Sequence, residues 1–212
     1  DCWGWTDPTS GKEYALMGLD TGTSFIDISD LEFPRIVGFL PTHTTNSPWR
    51  DIKTYGNYAF IVSEAAGHGV QIFDLTKLKN ISADQTPETF TSDAHYDGFG
   101  SAHNIVINNA QGYAYAVGTS TFSGGPHFID ISNPLTPIAA GGYGVDAYSH
   151  DAQVVTYNGP DNDYTGKEIL IGSNENEVVI VDVTDKTNPI QIAKIDYPNI
   201  GYTHQGWFTE DQ

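Results

Sequence analysis

The sequence predicts an all-β protein, a β-propeller built from four-stranded blades. Three observations lead there: one hydrophobic strand type recurs about every fifty residues, three other strand types recur with it, and no segment carries a helical period. The chain has 212 residues, among them 22 glycines and 11 prolines. This length is sufficient for a hydrophobic core, and the glycines and prolines supply the turns that short strands need.

The most regular repeat is a β-branched and aromatic strand that ends in Asp, followed two residues later by Ser or Thr. Runs of this kind are typical of buried strands closed by a turn. The aspartates that end the four copies are 47, 56 and 52 residues apart, at Asp27, Asp74, Asp130 and Asp182.

Each copy is preceded by two further strands and followed by a weaker one. The first strand of each unit begins near residues 2, 50, 103 and 150, and a fifth copy begins near residue 204. The predicted blades are approximately 1–48, 49–101, 102–148 and 149–202, with the start of a fifth blade at 203–212. Because the opening strand occurs once more than the others, we expect a fragment of a larger propeller. Further blades of the same protein or of another chain would cover its open edges.

Composition and charge exclude several classes of partner. The chain has 9 Lys and Arg against 27 Asp and Glu, a formal net charge of −18 that repels nucleic acid and anionic membrane surfaces. No apolar run reaches the roughly 18 residues of a membrane helix, so membrane insertion is not expected. The single cysteine, Cys2, excludes an internal disulfide and a multi-cysteine metal site. An acidic surface with few lysines favours a secreted setting.

The run at 178–182 is close to the LVIVD repeat, and longer motifs lie at 49–53, 68–75, 102–104, 149–153 and 204–211. Together these segments resemble the choice-of-anchor B family, essentially from end to end of the chain. The resemblance implies a bacterial propeller that is secreted or displayed on the cell surface, and it implies no settled catalytic activity.

Aligning the opening strands places a histidine-rich set of residues in one register. The first position of that register holds Cys2, Arg50, His103, His150 and His204. Because the innermost strand of a propeller blade lines the central channel, equivalent positions form a ring at the channel mouth. Three converging imidazoles could bind Zn²⁺ or Cu²⁺. The alternative is a structural network of hydrogen bonds and channel water.

The next position of the same strands includes Asp51 and Asp151. If a metal is held by the three histidines, either carboxylate is a candidate general base, and Arg50 is a candidate clamp for an anionic substrate. No nucleophile elbow or phosphate loop is present, so no organic cofactor is expected.

Two acidic turns have some of the donors that Ca²⁺ requires. The turn at 161–168 contains Asp161, Asp163 and Glu168, and a similar turn at 7–13 begins with Asp7. Neither matches the twelve-residue calcium loop, and both also fit ordinary turns between first and second strands. Trp5 and Trp207 occupy equivalent positions, which favours packing in the core over a surface role for both.

The sequence therefore leaves two functions open. The first is an extracellular binding or scaffold module that recognises an unidentified ligand over the histidine-bearing face. The second is a metal-dependent hydrolase or oxidase that uses the same histidines.

Overall fold

The computed structural model describes residues 1–82, 84, 87–209 and 211. Within them the chain forms seventeen β-strands and two short 3₁₀ helices. It divides into two compact units, one containing Asp1–Ser101 with Pro134–Thr136, the other containing Ala102–Asn133 with Pro137–Gln212. None of the helices in the described residues has the length and apolar character required to span a membrane.

Unit 1 contains two antiparallel sheets. The first has the order β1-β2-β3-β4, and the second has the order β5-β6-β7-β9. A two-residue strand, β8, pairs in parallel with β4 and extends the first sheet by one strand. The bounds are β1 (Cys2–Thr6), β2 (Glu13–Leu19), β3 (Gly22–Asp27), β4 (Arg35–Pro41), β5 (Arg50–Tyr55), β6 (Tyr58–Ser63), β7 (Val70–Asp74), a 3₁₀ helix (Leu75–Asn80), β8 (Glu88–Thr89) and β9 (Ala94–Tyr96).

Unit 2 contains two four-stranded antiparallel sheets in simple meander order, β10-β11-β12-β13 and β14-β15-β16-β17. Such four-stranded meanders are the blades of propeller folds. The bounds are β10 (Asn104–Asn108), β11 (Tyr113–Val117), a 3₁₀ helix (Phe122–Gly124), β12 (His127–Asp130), β13 (Ile138–Gly142), β14 (Asp151–Thr156), β15 (Glu168–Ser173), β16 (Val178–Asp182) and β17 (Ile190–Ile195).

The repeated aspartate has the same local role in all four sheets. Oδ1 of Asp27 accepts a hydrogen bond from the amide of Ser29 at 3.1 Å, and Oδ1 of Asp182 accepts one from the amide of Thr184 at 3.0 Å. The third strands of the other two sheets end in the same turn. A short side chain that bonds the backbone two residues on is the physical reason for Asp at this position.

Each unit has its own apolar core between its two sheets. In unit 1 the rings of Phe25 and Phe73 stack with centroids 4.7 Å apart, and both side chains are fully buried. In unit 2 the core includes Tyr115 and Phe128, whose rings meet edge to face at 5.1 Å. The third strands supply Phe25, Phe73 and Phe128, so the most regular repeat of the sequence is also the centre of the packing.

The start of a fifth blade at 203–212 stays a prediction. Among the described residues of 203–212, none lies in a named strand, and Thr203 makes an isolated bridge to Glu175. The amide of Phe208 donates a hydrogen bond to Oε1 of Gln153 at 2.6 Å. The described residues of this segment therefore contact unit 2 through an isolated bridge and individual hydrogen bonds.

Candidate functional site

The three histidines singled out in the sequence come together in unit 2. His103 and His150 lie immediately before β10 and β14, and His204 lies in the segment that follows β17. The ring centroids of His103 and His150 are 4.3 Å apart, and those of His150 and His204 are 4.2 Å apart. Tyr202 extends the row, with its ring edge-on to His150 at 5.2 Å. We call these four residues the imidazole row.

His150 is the fixed centre of the imidazole row. Its side chain is buried, and its Nδ1 lies 2.9 Å from the carbonyl oxygen of His204. Because a carbonyl can only accept, Nδ1 carries the proton, and Nε2 is the nitrogen with a lone pair. Burial lowers the pKa of His150, and the neighbouring imidazoles of His103 and His204 act in the same direction. The central imidazole is therefore held neutral near pH 7.

The outer members of the imidazole row reach solvent. His204 is exposed, His103 is half-buried, and Tyr202 is 45% exposed. The hydroxyl of Tyr202 donates a hydrogen bond to Oε1 of Glu175 at 3.1 Å, and the backbone of Glu175 bridges to Thr203. The imidazole row therefore presents aromatic rings to solvent, and the carboxylate of Glu175 lies at its edge.

Backbone strain is concentrated in the same unit. The described non-glycine residues with positive φ all belong to unit 2; they are Phe122, Ser123, Ala147, Glu175 and Asn199. Ala147 precedes His150 by three residues, and Glu175 contacts Tyr202. Non-glycine residues in this region cost on the order of 1–3 kcal/mol each, and they cluster at binding and catalytic sites.

A cleft of about 480 Å³ adjoins the segment that carries Tyr202 and His204. Its lining includes Glu177, Lys194 and Tyr197. The Tyr197 hydroxyl lies 3.0 Å from Oγ1 of Thr203, next to Tyr202 in the chain. Lys194 bonds Oε1 of Glu177 at 2.9 Å, so one carboxylate of the cleft is already neutralised.

Arg50 occupies the corresponding register position in unit 1, but its side chain is buried. Its Nε donates to the carbonyl of Leu19 at 2.9 Å, and its Nη2 donates to Oγ1 of Thr42 at 2.7 Å. Its Nη1 lies 2.9 Å from Nε2 of His68. Burial lowers the pKa of Arg50 to about 10, which leaves it charged at neutral pH. Arg50 therefore has a structural role. Because its guanidinium is buried and bonded to protein groups, it is not placed to bind an anionic substrate from solvent.

His68 is fully buried beside Arg50. Because a guanidinium can only donate, Nε2 of His68 is the acceptor, and Nδ1 donates to the carbonyl of Gly69 at 3.1 Å. Burial lowers the pKa of His68 to about 4, and the charge of Arg50 acts in the same direction. His68 is thus a neutral core histidine.

Two histidines that the sequence analysis did not single out complete this cluster. The rings of His43 and His95 stack with centroids 3.8 Å apart, and Nε2 of His95 donates to the carbonyl of His68 at 2.7 Å. His43 lies beyond β4 and His95 lies in β9, outside the repeated register, so strand alignment could not connect them. In the structure, six of the seven histidines fall into two groups of three.

The two candidate general bases are engaged locally. Asp51 is buried, and its carboxylate accepts from the amide of Ile52 at 2.7 Å and from Nζ of Lys53 at 2.7 Å. Asp151 repeats the amide contact in unit 2, accepting from Ala152 at 2.8 Å. Asp51 lies in unit 1, whereas the imidazole row lies in unit 2. Cys2, which shares the register position of the histidines, is an exposed free cysteine.

The structure does not assemble the 161–168 turn as a calcium cage. Oδ1 of Asp161 accepts from the amide of Asp163 at 3.1 Å, while both residues remain at the surface. Glu168 is buried instead, and its carboxylate bonds Tyr115 at 2.5 Å and Lys186 at 2.6 Å. Nδ2 of Asn108 also donates to Oε1 of Glu168 at 2.9 Å, so three partners stabilise this charge in the interior of unit 2.

The corresponding turn in unit 1 is closed by a lysine. Nζ of Lys79 lies 2.6 Å from Oδ1 of Asp7, and Ser10 donates to Oδ2 at 2.5 Å. Burial raises the pKa of Asp7, but the hydrogen bonds from Lys79 and Ser10 outweigh it and hold that pKa below its usual range. The ammonium group of Lys79 thus occupies the position beside Asp7 that a calcium ion would need.

The two tryptophans expected to pack alike differ in burial. Trp5 is buried in the core of unit 1, with its ring 5.4 Å from that of Tyr14. Trp207 is 55% exposed. The expectation of core packing is therefore correct for Trp5 and wrong for Trp207.

Within the described residues, no group of three or more His, Cys, Asp or Glu side chains has an arrangement that could hold a metal ion. In the imidazole row the rings pack against one another at a tilt of about 50°, and Nδ1 of His150 donates to a carbonyl. Zinc or copper at His103, His150 and His204 stays a prediction that requires measurement, as does calcium at Asp161, Asp163 and Glu168.

Two segments of the chain match the LVIVD repeat, at residues 49–67 and 166–196. The first covers β5 and β6, and the second covers β15 to β17. The resemblance to this repeat is therefore confirmed in one sheet of each unit. No curated protein matches the sequence.

Several solved structures share the fold. A functionally unknown protein from Desulfotomaculum acetoxidans DSM 771 has a TM-score of 0.53 and 14% identity, over 93% of this chain and 56% of that one. A nidogen/laminin complex has a TM-score of 0.52 and 10% identity, over 88% and 59%.

The extracellular domain of a one-component system from B. thetaiotaomicron has a TM-score of 0.52 and 14% identity, over 96% of this chain and 29% of that one. The chain thus spans less than two thirds of each of these structures. At such identities the similarity shows the fold alone, and the predicted class, an all-β propeller of four-stranded blades, is confirmed.

Proposed function

We propose that this protein is a secreted or cell-surface propeller of the choice-of-anchor B type that binds a partner through the imidazole row. The observation that carries the proposal is the coincidence of exposed aromatic rings with strained backbone. Tyr202 and His204 reach solvent beside Glu175, which has a φ of 61°. The cost of such strain is offset where it holds a binding surface in shape.

The chemistry of the surface favours a basic, aromatic-containing segment of a partner protein. Imidazole and phenol rings offer faces for stacking and cation–π contact. Glu175 provides a carboxylate at the edge of the row. The net charge of −18 attracts a cationic partner over distance and repels an anionic one.

An extracellular setting is supported by three independent features. The surface is acidic, two segments match the LVIVD repeat, and one structural neighbour is an extracellular domain. A second structural neighbour, the nidogen/laminin complex, is a complex of proteins.

The binding test uses a fluorescein-labelled peptide of alternating Lys and Tyr, with an alternating Glu and Tyr peptide as the charge control. We expect the basic peptide to raise the fluorescence anisotropy on titration, and the acidic peptide to leave it unchanged. The double variant Tyr202→Ala, His204→Ala is expected to weaken binding at least about tenfold, because the two most exposed rings of the imidazole row are removed.

Trp49→Ala is the matched control, since Trp49 is a 56% exposed aromatic residue in unit 1. Equal loss of binding in this control, or binding that survives the double variant, would contradict the proposal.

The alternative function is a metal-dependent hydrolase or oxidase. A measurement of metal content distinguishes it from the binding module. Plasma mass spectrometry on protein dialysed against metal-free buffer is compared with the His103→Ala variant. About one equivalent of zinc or copper that is lost in the variant would favour the enzyme. Metal-free protein that still binds the basic peptide would favour the binding module.

A further inference from the structure

A second cleft, of about 410 Å³, lies wholly in unit 1 and is unrelated to the imidazole row. It is bounded by the turn after β3, the start of β4 and the end of the first 3₁₀ helix, and its lining includes Lys12, Asp27, Phe33, Arg35 and Lys79. Its volume falls within the range of roughly 300–1,000 Å³ that small ligands occupy.

Cations are concentrated in this cleft. Three of the nine Lys and Arg residues line it, together with two carboxylates, Asp27 and Asp30. Lys79 is already paired with the buried carboxylate of Asp7 at 2.6 Å, so Lys12 and Arg35 are the cations that a ligand would meet. Because the Debye length is about 8 Å at physiological ionic strength, a ligand inside the cleft responds mainly to these nearby cations.

The fourth blade shows which of these charges the fold itself requires. There, Lys167 lies before the second strand and pairs directly with Asp182 at 2.9 Å. The residue opposite Asp182 on the neighbouring strand is Ile190. One lysine is therefore sufficient to satisfy the repeated aspartate of a blade.

The first blade holds more cations at the same position. Lys12 and Arg35 both approach Oδ2 of Asp27, each at 3.8 Å, and Lys79 lines the same cleft. Arg35 stands directly opposite Asp27, where the fourth blade has isoleucine. Asp27 is thus shared between two cations at long range, and neither is neutralised as Lys167 is.

Backbone contacts fix the position of Arg35. Its Nη1 donates to the carbonyl of Ser82 at 2.6 Å, and its Nη2 lies 3.4 Å from the carbonyl of Ile81. Both acceptors are neutral, so these bonds hold the guanidinium in place without cancelling its charge. A positioned arginine beside an accessible lysine is an arrangement that binds a carboxylate.

The remaining lining suits a hydroxylated ring. Phe33 is 74% exposed, and its ring offers an apolar face. Ser29, Asp30 and Asn80 add hydroxyl, carboxylate and amide groups that can bond sugar hydroxyls. An aromatic face, several polar groups and the two cations Lys12 and Arg35 together match a sugar that carries a carboxylate.

We propose that this cleft binds an acidic sugar residue, a uronate, whose carboxylate lies by Lys12 and Arg35 and whose ring packs against Phe33. The site is distinct from the imidazole row, and its failure would leave the proposed function intact.

The test is calorimetric titration of the full chain with trigalacturonate, with neutral galactotriose and with inorganic phosphate. Trigalacturonate is expected to bind at least about tenfold more tightly than either of the other two, because only it presents both a carboxylate and a sugar ring. Equal affinity for galactotriose would overturn the role of the cations, and equal affinity for phosphate would overturn the role of the sugar.

The variant Lys12→Met removes one cation and retains most of the side-chain volume. We expect it to weaken trigalacturonate binding about tenfold, the effect of losing one charge-assisted hydrogen bond. The matched control is Lys167→Met, the equivalent lysine of the fourth blade, which is expected to leave the affinity unchanged.

Phe33→Ala is a second variant that leaves these cations in place, and it is expected to weaken binding several-fold. Because Phe33 is largely exposed, this variant keeps the fold. Unchanged affinity in both Lys12→Met and Phe33→Ala, or an equal loss in Lys167→Met, would overturn the proposal.

Discussion

Each unit of the molecule contains one group of three histidines, and the two groups are built in opposite ways. In unit 1, His43 and His95 stack beside a fully buried His68, which is bonded to the buried guanidinium of Arg50. In unit 2 the imidazole row holds no cation of this kind, and its outer members reach solvent. The same residue type thus serves as interior support in one unit and as surface in the other.

The difference begins at a single register position. Arg50 stands where the two sheets of unit 2 have His103 and His150. A long guanidinium reaches Leu19, Thr42 and His68 at once, and three hydrogen bonds hold it inside. An imidazole is too short to do so, and the histidines of unit 2 pack against one another instead.

Replacing Arg50 should produce the largest effect. Arg50→Met leaves the Leu19 carbonyl, the Thr42 hydroxyl and His68 without their donor, so we expect a loss of about 4 kcal/mol in the free energy of unfolding. Urea unfolding followed by the fluorescence of buried Trp5 measures it in unit 1. A loss below about 1 kcal/mol would show that the buried hydrogen bonds of Arg50 contribute little to the stability of unit 1.

The second-largest effect is expected from pH, through the titration of His68 and its contribution to the free energy of unfolding. The pKa of His68 is about 4 when folded and about 6.5 when unfolded, so the unfolded chain binds the additional proton between these values. The stabilisation is complete above pH 6.5 and is lost as the pH falls through 4, to a total of about 3 kcal/mol. Unfolding free energies measured from pH 7.5 to pH 4.5 give the slope.

His68→Gln is the matched variant for this measurement, because it removes the titrating group and retains a polar side chain. Its stability should fall less steeply with acidification than that of the wild type, while the carboxylates contribute equally to both. Parallel slopes would refute a buried neutral His68.

Relief of backbone strain in unit 2 should have a smaller and opposite effect. Ala147 has a φ of 59°, and glycine adopts this conformation without the steric cost. Ala147→Gly is expected to raise the free energy of unfolding by up to about 1 kcal/mol, and to reduce affinity for the basic peptide if the strain shapes the imidazole row. A destabilised variant would show that the local backbone is not strained.

The smallest effect on stability is expected for the exposed end of the imidazole row. His204→Ala should change the free energy of unfolding by no more than about 0.5 kcal/mol, since the side chain is exposed. Urea unfolding of this variant beside Arg50→Met tests the contrast between the two groups directly. A loss comparable to that of Arg50→Met would place both groups in the same structural role.

Much of the fold could be predicted because it is encoded locally. The Asp and Ser or Thr that end each third strand form the same turn in four sheets, so the repeat in the sequence is a repeat of one local interaction. The proximity of His103, His150 and His204 also followed, because equivalent strands place equivalent residues together.

Other features of the candidate sites were not predictable in this way. Glu168 belongs to an acidic turn in the sequence, yet its carboxylate is buried by Tyr115, Asn108 and Lys186, which are distant in the chain. Trp207 shares a sequence position with Trp5 but lacks its burial. Equivalence of position does not fix the environment that other parts of the chain create.

The sequence by itself determined the strand type, the blade repeat and the register, because side-chain alternation and turn chemistry act between near neighbours. Only the tertiary structure decided that Arg50 is buried, that His43 joins His95, and that Lys12 and Arg35 line the same cleft. These outcomes depend on contacts between residues far apart in the chain. Burial and charge at a site are properties of the whole surroundings, which no local pattern contains.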